Sequence, residues 1–216
     1  MINFDRNSVA APHIGAGYQT SQAVYNALEE LFHNKCYLCE TWRDSATNFQ
    51  IEHFHPHKGD ASLKYNWDNL FLACGDTCNQ YKSTQIDILN PCDPNHNVEE
   101  DICYVLTPID YEPKFSATDS SNILAANTSE LLEHLHHGKR DWKSKSKTRS
   151  LRNAIRRRTT ELLTATKSYY QADNRGDESA KQLALNRIAD IVSRKAPFTM
   201  LMRSEAKKDG FEFLFD

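Results

Sequence analysis

Apolar residues recur at helical spacing in segment 21–33 and predict an amphipathic helix there. The residues on its apolar face are Val24, Leu28, Leu31 and Phe32. Ser21 stands at the N-cap position of this helix. Residues 1–18 show little periodicity, so an irregular arm is expected before the helix.

Shorter apolar runs follow, separated by Asn, Asp, Gly and Pro. The runs at 49–51 and 71–73 are typical of the two strands of a short hairpin. A brief helix is expected to begin near Asp76 or Thr77. Four Xaa-Pro steps then favour loops between residues 86 and 122. Within that region, a strand pair is predicted near 102–106 and 114–117.

The remainder of the chain has a helical pattern. A helix capped by Asn127 or Thr128 is expected to end at Gly138. Longer periodic patterns over 146–172 and 178–194 predict two more helices.

The net charge is small, but the charges are unevenly distributed. The 216 residues carry a formal net charge of −3, which argues against a uniformly basic nucleic-acid binder. Between Lys139 and Arg158, however, ten Lys or Arg residues stand against one acid, Asp141. Such a block is typical of a surface that binds a polyanion. A solvated helix face is the alternative.

Four cysteines form two short pairs, C-x2-C at Cys36 and Cys39 and C-x3-C at Cys74 and Cys78. Two such pairs supply the four thiolates of a structural zinc site. The chain opens without a secretory signal pattern and has no apolar run near the ~20 residues that span a bilayer, so a cytoplasmic location is expected. Paired cysteines in that compartment bind metal more often than they form disulfides, and reduced core thiols are the alternative. The remaining two cysteines are Cys92 and Cys103. Both are expected to be buried thiols, and a role as a spare metal ligand is the alternative for Cys92.

The residues between the cysteine pairs offer a different chemistry. Glu52 and Asn79 carry hard oxygen ligands that suit Mg²⁺ or Mn²⁺. His53, next to the acid, can deprotonate water near neutral pH. Neighbouring residues in a strand point to opposite faces, so Glu52 and His53 need a bulge or a strand end to converge. Asn69 is expected to brace a loop. Lys82 is expected to face a substrate phosphate, with an ordinary surface lysine as the alternative.

Three segments in order resemble the three stations of an HNH nuclease, which has the ββα-metal fold. These segments are EHFHP (52–56), NL (69–70) and CNQYK (78–82). Over about residues 35–95 the closer resemblance is to the PtuB branch, found in Septu and retron-linked bacterial anti-phage systems. It is carried by KCYLCE (35–40), YNWDNL (65–70) and DILNP (87–91).

The resemblance implies a role for each matched residue. Glu52 and Asn79 would be ligands of a catalytic Mg²⁺ or Mn²⁺, His53 the general base, and Asn69 the central structural asparagine. The four cysteines would hold a structural Zn²⁺. The implied partners are a PtuA-type ABC/SMC ATPase and, in retron-linked systems, a reverse transcriptase with its DNA.

Two positions depart from the pattern of this branch. His55 stands where Arg is more common, and His57 where Lys is common. Both are expected to meet phosphate, with a pH dependence that Arg or Lys would not show. The brief helix also lacks the third ligand histidine of many HNH enzymes.

The basic segment contains arginines at helical spacing. Arg149, Arg152 and Arg156 share one predicted face, which is expected to bind nucleic-acid phosphates. Docking of this face on an acidic patch of the ATPase is the alternative.

Together these features predict an α+β chain with a ββα-metal core and a CxxC…CxxxC zinc finger. The expected units are an N-terminal arm and helix (1–34), a zinc-stabilised HNH nuclease domain (35–115) and a mainly helical domain with a basic face (116–216). The expected function is metal-assisted phosphodiester hydrolysis in anti-phage defence, with DNA as the default substrate and RNA, including tRNA, as the alternative. The rival hypotheses are a zinc-organised binding module without catalysis and a structural subunit of the ATPase.

Overall fold

The computed structural model describes residues 1–42, 49–75, 77–138 and 142–216, with side chains from 148 onward in the last range. The strands are β1 (Phe49–His53), β2 (Leu70–Cys74), β3 (Ile102–Leu106) and β4 (Pro113–Ala117). The helices are α1 (Gln22–Leu31), α2 (Ala61–Lys64), α3 (Cys78–Lys82), α4 (Ile123–His137), α5 (Trp142–Arg175), α6 (Glu178–Val192) and α7 (Thr199–Lys208). The described residues thus form a mixed α+β structure.

Strands β1 and β2 form an antiparallel pair that leads directly into α3. The register runs without interruption from Phe49 opposite Cys74 to His53 opposite Leu70. Every residue of β2 is buried, which its apolar run 70–73 explains. The brief helix predicted near Asp76 or Thr77 begins at Cys78, and Asp76 itself lies outside the described residues. This unit therefore runs from β1 through the short helix α2 to β2 and α3.

Strands β3 and β4 form a second antiparallel pair, as the sequence predicted. Inward and outward residues alternate along both strands, so that Ile102, Tyr104, Leu106 and Phe115 enter the core. The boundary expected between residues 115 and 116 falls inside β4. A domain boundary there would divide a paired strand.

Helix α4 begins earlier than the sequence predicted. Asn122 is its N-cap and accepts a hydrogen bond from the Ala125 amide at 3.1 Å. The expected cap, Thr128, is instead an interior residue whose hydroxyl donates to the Leu124 carbonyl at 2.7 Å and accepts from the Leu89 amide at 2.8 Å. The contact with Leu89 joins residues far apart in sequence, so local capping rules could not predict the position of Thr128.

Helices α5 and α6 form a long antiparallel hairpin. The 34 residues of α5 span about 51 Å at 1.5 Å per residue. Gly176, with φ 66°, sits in the turn between the helices, where a left-handed backbone favours glycine. The predicted helices over 146–172 and 178–194 correspond to these two elements. Within the described residues, no helix is both long enough and apolar enough to cross a membrane.

A buried lysine joins the first cysteine pair to the C-terminal helices. The Lys35 ammonium donates to the carbonyls of Arg194 and Ala196 and to the Thr199 hydroxyl, at 2.6, 2.9 and 3.0 Å. Glu40 adds two bonds across the same interface: its carbonyl accepts from the Phe198 amide and its carboxylate from the Met200 amide, both at 3.2 Å. The two ends of the chain therefore share one packed core.

Candidate functional site

Four buried thiols form a closed cluster. The sulfur atoms of Cys36, Cys39, Cys74 and Cys78 all lie within 4.8 Å of one another. The Cys39 and Cys74 sulfurs are 3.7 Å apart, close to the edge of about 3.8 Å that a tetrahedron with Zn–S bonds of about 2.3 Å requires. The cluster can therefore hold a metal ion such as zinc, and the predicted pairing of these four residues is confirmed at this level.

Local backbone geometry brings each cysteine pair to the cluster. The Glu40 amide donates to the Cys36 carbonyl at 2.9 Å, which closes a tight turn around the first pair. Cys74 ends β2 and Cys78 begins α3. Gly75 lies between them, where a Cβ would come within 2.3 Å of the Gln50 side chain. A larger residue there would therefore have to displace the exposed Gln50 side chain.

Mutual contact separates the acidities of Cys39, Cys74 and Cys78. Hydrogen bonds from the neighbouring thiols, Cys36 first, hold the pKa of Cys39 well below its usual range. The same neighbours raise the pKa of Cys74 and Cys78 well above theirs. Four adjacent thiolates need a cation between them, and a divalent metal meets that need.

The other two cysteines lie outside the cluster. Cys92 is half-buried near Arg6, and burial raises the pKa of its thiol to about 11. Cys103 is exposed on β3, although the sequence suggested a buried thiol. Its outward position follows from the alternation of β3, which turns its neighbours inward.

Glu52 is enclosed beneath β1. Its carboxylate accepts a hydrogen bond from the Tyr37 hydroxyl and lies 3.7 Å from the Lys82 ammonium. Burial raises the pKa of Glu52 to about 7, against the lowering effect of Lys82. The side chain is only 3% exposed, so the acid is held by these two partners in the interior.

His53 ends β1 and is partly exposed, next to segment 55–65. Its Nε2 lies 3.1 Å from the Tyr18 hydroxyl and 3.1 Å from the Lys64 carbonyl. A carbonyl only accepts, so Nε2 carries the proton of the neutral ring and Nδ1 carries the lone pair. Burial, with a smaller effect of nearby His57, lowers the pKa of His53 against the raising effect of the hydrogen bond to the Lys64 carbonyl. The ring is therefore neutral at pH 7 and offers a basic Nδ1.

Asn69 braces the segment that follows β1. Its side-chain oxygen accepts from the His55 amide at 2.7 Å, and its amide group donates to the carbonyls of His55 and Leu63 at 2.8 and 3.0 Å. These contacts are those of a loop-bracing asparagine. By fixing residue 55 they also fix the direction in which β1 ends.

The two residues suggested for a magnesium site have different partners. The Asn79 amide group lies 3.3 Å from the Gln50 side-chain oxygen, whereas Glu52 faces Tyr37 and Lys82. The uninterrupted register of β1 leaves Glu52 and His53 without the bulge that would bring them to one face. A divalent cation at Glu52 would also meet the Lys82 ammonium. Among the described contacts, none assembles a two-ligand Mg²⁺ or Mn²⁺ site.

Lys82 is an interior residue, which differs from the expectation that it faces a substrate phosphate. Its side chain is 1% exposed, and its ammonium donates to the Phe54 carbonyl at 2.8 Å. The cation also lies over the Phe54 ring, 5.1 Å from the centroid. The short helix that carries Lys82 was predicted, but α3 packs this residue against the end of β1.

Replacing Lys82 with Met should therefore destabilise the fold. Removing one partner of a buried ion pair costs about 3–5 kcal/mol. The loss should be greater at pH 8 than at pH 6. Glu52 already has a folded-state pKa above its usual value, and losing Lys82 raises it further. The folded state then holds a proton that the unfolded state has lost, so stability falls as pH rises through that pKa.

Urea unfolding at both pH values measures this effect. Lys58→Met is the matched control, because Lys58 is exposed in the same region and should change stability by less than about 0.5 kcal/mol. Equal stabilities of Lys82→Met and the wild type would contradict the buried role.

The three arginines of the basic face are not equally available. Arg152 and Arg156 each approach the Glu112 carboxylate at 3.6 Å, and Arg156 also donates to the Asp110 carbonyl at 2.8 Å. Arg149 is exposed. Two of the three thus attach α5 to the β3–β4 loop, a contact between residues far apart in sequence. Lys139, Arg140 and Asp141 lie outside the described residues.

Four further polar side chains lie around the end of β1. The sequence predicted a phosphate contact for His55 and His57 but did not assign Tyr18 or Lys64 to the site. His55 is exposed, as a phosphate contact requires. His57 packs edge-to-face on His53, with ring centroids 4.7 Å apart. Tyr18 and Lys64 hold the His53 ring. The lysine and glycine at positions 58 and 59 signalled a turn beside His57, but no local pattern marked Tyr18, which comes from the irregular arm.

Comparison of this chain with known protein families, curated proteins and solved structures finds no match.

Proposed function

We propose that this protein is a metal-dependent nuclease of the HNH type that hydrolyses phosphodiester bonds, with His53 as the general base. The observation that carries the proposal is the hydrogen bond between His53 Nε2 and the Lys64 carbonyl. It fixes the ring and leaves a basic Nδ1 on a half-exposed histidine at the end of an antiparallel strand pair. The antiparallel strand pair that leads into α3 and the cysteine cluster add support.

In the proposed reaction, a water oxygen attacks the phosphorus while its proton passes to His53 Nδ1. The bond from phosphorus to one ester oxygen breaks, and that oxygen leaves with the electron pair and takes a proton from solvent. The products are a phosphate monoester and a hydroxyl group. General-base catalysis of this kind contributes typically about 10²–10⁴-fold to the rate.

The cysteine cluster is proposed to bind zinc in a structural role. A site of four cysteines is closed, so it leaves no position for a substrate. The zinc would connect the first cysteine turn to β2 and α3, and so hold β1 and His53 in place. Its contribution would be to folding.

The requirement for Mg²⁺ or Mn²⁺ rests on the resemblance to HNH nucleases. The chemistry such an ion supplies is stabilisation of negative charge on the phosphate. Glu52 and Asn79 offer suitable oxygens but are engaged elsewhere. Assays with added Mg²⁺ and with enough EDTA to remove it, at unchanged zinc content, test the requirement separately from cleavage itself.

The proposed substrate is nucleic acid. It is bound through the basic side of α5, which carries the arginines of segment 149–158. Arg149 and Arg157 are the exposed arginines of this side, so they suit phosphate contacts better than the paired Arg152 and Arg156 do. Phosphate contacts of this kind give affinity without sequence preference. DNA is proposed as the default substrate and tRNA as the alternative.

The double charge reversal Arg149→Glu and Arg157→Glu should weaken binding to DNA. Loss of two phosphate contacts should flatten the slope of log K against log salt by about 2. The matched control reverses Lys167 and Arg187, which are exposed outside the basic segment, and should leave the slope unchanged. Fluorescence anisotropy with a labelled duplex over a salt series measures both.

Two results would contradict the assignment of Arg149 and Arg157 to nucleic-acid binding. Equal slopes for the two double variants would show that the effect comes from net charge alone. Loss of co-purification with the ATPase, together with unchanged DNA binding, would assign the basic side to the partner.

The proposed biological role is that of effector in an anti-phage system with a PtuA-type ATPase. The protein, with and without that ATPase, should be incubated with plasmid, single-stranded DNA and total tRNA. Mg²⁺-dependent cleavage of any of them supports the nuclease and identifies the substrate. Lack of cleavage in every combination would refute it.

A non-catalytic zinc-organised module is the second candidate. The pairing of Glu52 with Lys82 favours it, because that contact uses the acid for stability. The same incubation decides between the two, since a module of this kind would bind nucleic acid and cleave none.

A further inference from the structure

A tight turn fixes His57 next to His53. The Asp60 amide donates to the His57 carbonyl at 2.8 Å, and the two central residues, Lys58 and Gly59, have φ values of 47° and 95°. This backbone brings the Gly59 amide to 3.0 Å from His57 Nδ1. An amide N–H only donates, so Nδ1 carries the lone pair of the neutral ring and Nε2 carries the proton.

The two histidines are held through opposite nitrogens. The Lys64 carbonyl engages Nε2 of His53, whereas the Gly59 amide engages Nδ1 of His57. Both neutral rings therefore carry the proton on Nε2. The contact with Lys64 leaves the Nδ1 lone pair of His53 available, and the contact with Gly59 leaves the Nε2–H of His57 available. The rings lie edge to face, with centroids 4.7 Å apart and planes at 63°, so His57 lies directly beside the proposed base.

We infer that His57 is a substrate-binding residue that donates its Nε2–H to a non-bridging phosphate oxygen, while His53 Nδ1 faces the attacking water. The inference rests on the proposed nuclease function and names a contact at the same site. A tetrahedral phosphodiester presents acceptor oxygens on several sides of phosphorus, which suits a donor beside a base. The occupant would therefore be the scissile phosphate of a nucleic acid.

The surroundings of His57 favour an anionic ligand. Lys58 and the partly buried Lys64 lie close by in sequence, and His55 is exposed. Asp60, the nearby acid, is already engaged, because its carboxylate accepts from the amide and the hydroxyl of Ser62 at 2.8 and 2.7 Å and caps α2. Segment 55–65 therefore carries four Lys or His residues against one acid.

Two substitutions at His57 distinguish the roles of its two ring nitrogens. Gln places an amide N–H near the position of Nε2, and Asn places one near Nδ1. His57→Gln should keep kcat/KM within a few-fold of the wild type. His57→Asn and His57→Ala should lose about 10–100-fold, the effect of one hydrogen bond to a charged group. Unchanged thermal unfolding of the variants shows that the comparison concerns binding and not folding.

The tautomers are measured independently of activity by ¹⁵N NMR of the histidine rings, with inorganic phosphate as the probe. Protonated Nε2 and bare Nδ1 are expected for both rings, with a shift of His57 Nε2 on addition of phosphate. A proton on His57 Nδ1, or equal activity of the Gln and Asn variants of an active enzyme, overturns the donor role alone. A wild type that cleaves nothing overturns the nuclease, and the catalytic role of His57 with it.

Discussion

Replacing His53 with alanine is expected to reduce phosphodiester cleavage by about 10²–10⁴-fold, the usual contribution of a general base. His53 ends β1, is partly exposed, and keeps a basic Nδ1 because its hydrogen-bond partners contact Nε2. Its partners are a tyrosine hydroxyl and a backbone carbonyl, so its loss leaves no buried charge behind. The fold and the metal content should therefore be unchanged.

Single-turnover cleavage of a labelled substrate measures the effect. His134→Ala is the matched control, because His134 lies on α4 near Glu130 in a surface pair and should retain wild-type activity. A His53→Ala protein that cleaves at the wild-type rate would remove His53 from the mechanism. A loss shared equally by both variants would indicate a general defect.

The pH profile gives a second signature of His53. Burial lowers its pKa below the usual value of 6.5, and only the neutral ring can act as a base. Activity should therefore be retained as pH falls to 6.5 and decline only as pH falls through the lowered pKa. An acid limb above pH 6.5 would contradict a lowered pKa.

Removal of the proposed zinc from the cysteine cluster is expected to unfold the region around β1, β2 and α3. Structural zinc sites contribute an apparent binding free energy of about 10–16 kcal/mol in small zinc-finger peptides at pH 7, and this is folding free energy. The cluster joins the first cysteine turn to β2 and α3. Cys78→Ser should therefore give insoluble protein or a much lower unfolding temperature.

Elemental analysis should find about one zinc per chain in the purified protein. Cys103→Ser is the matched control, because that cysteine is exposed and outside the cluster, and it should cost less than about 0.5 kcal/mol. A Cys78→Ser protein with wild-type unfolding and full solubility would show that the cluster needs no metal.

The features that the sequence predicted well are those with a local signature. The apolar face of α1 appears as buried Val24, Leu28 and Leu31, because helical spacing repeats within four residues. The four cysteines meet as expected, because two short pairs are an independent chemical signal. Asn69 braces its loop as its position between two elements suggested.

The features that were missed depend on contacts between distant parts of the chain. Lys82 was predicted to lie on a short helix, but the sequence does not show that Glu52 and the Phe54 carbonyl lie next to its ammonium. Arg152 and Arg156 formed a regular basic stripe, but Glu112 neutralises part of it from another element. In each case a surface role was expected for a cation that has an interior or partnered position.

The buried Lys35 has a consequence for how this protein tolerates change. Its ammonium finds its acceptors only on segment 194–199, so the first cysteine turn needs that distant loop to be satisfied. A substitution that shifts the loop would leave the Lys35 ammonium without partners next to the cysteine cluster. Recombination between related chains should therefore succeed only when Lys35 and its loop are inherited together. The two behave as one heritable unit, although they lie at opposite ends of the sequence.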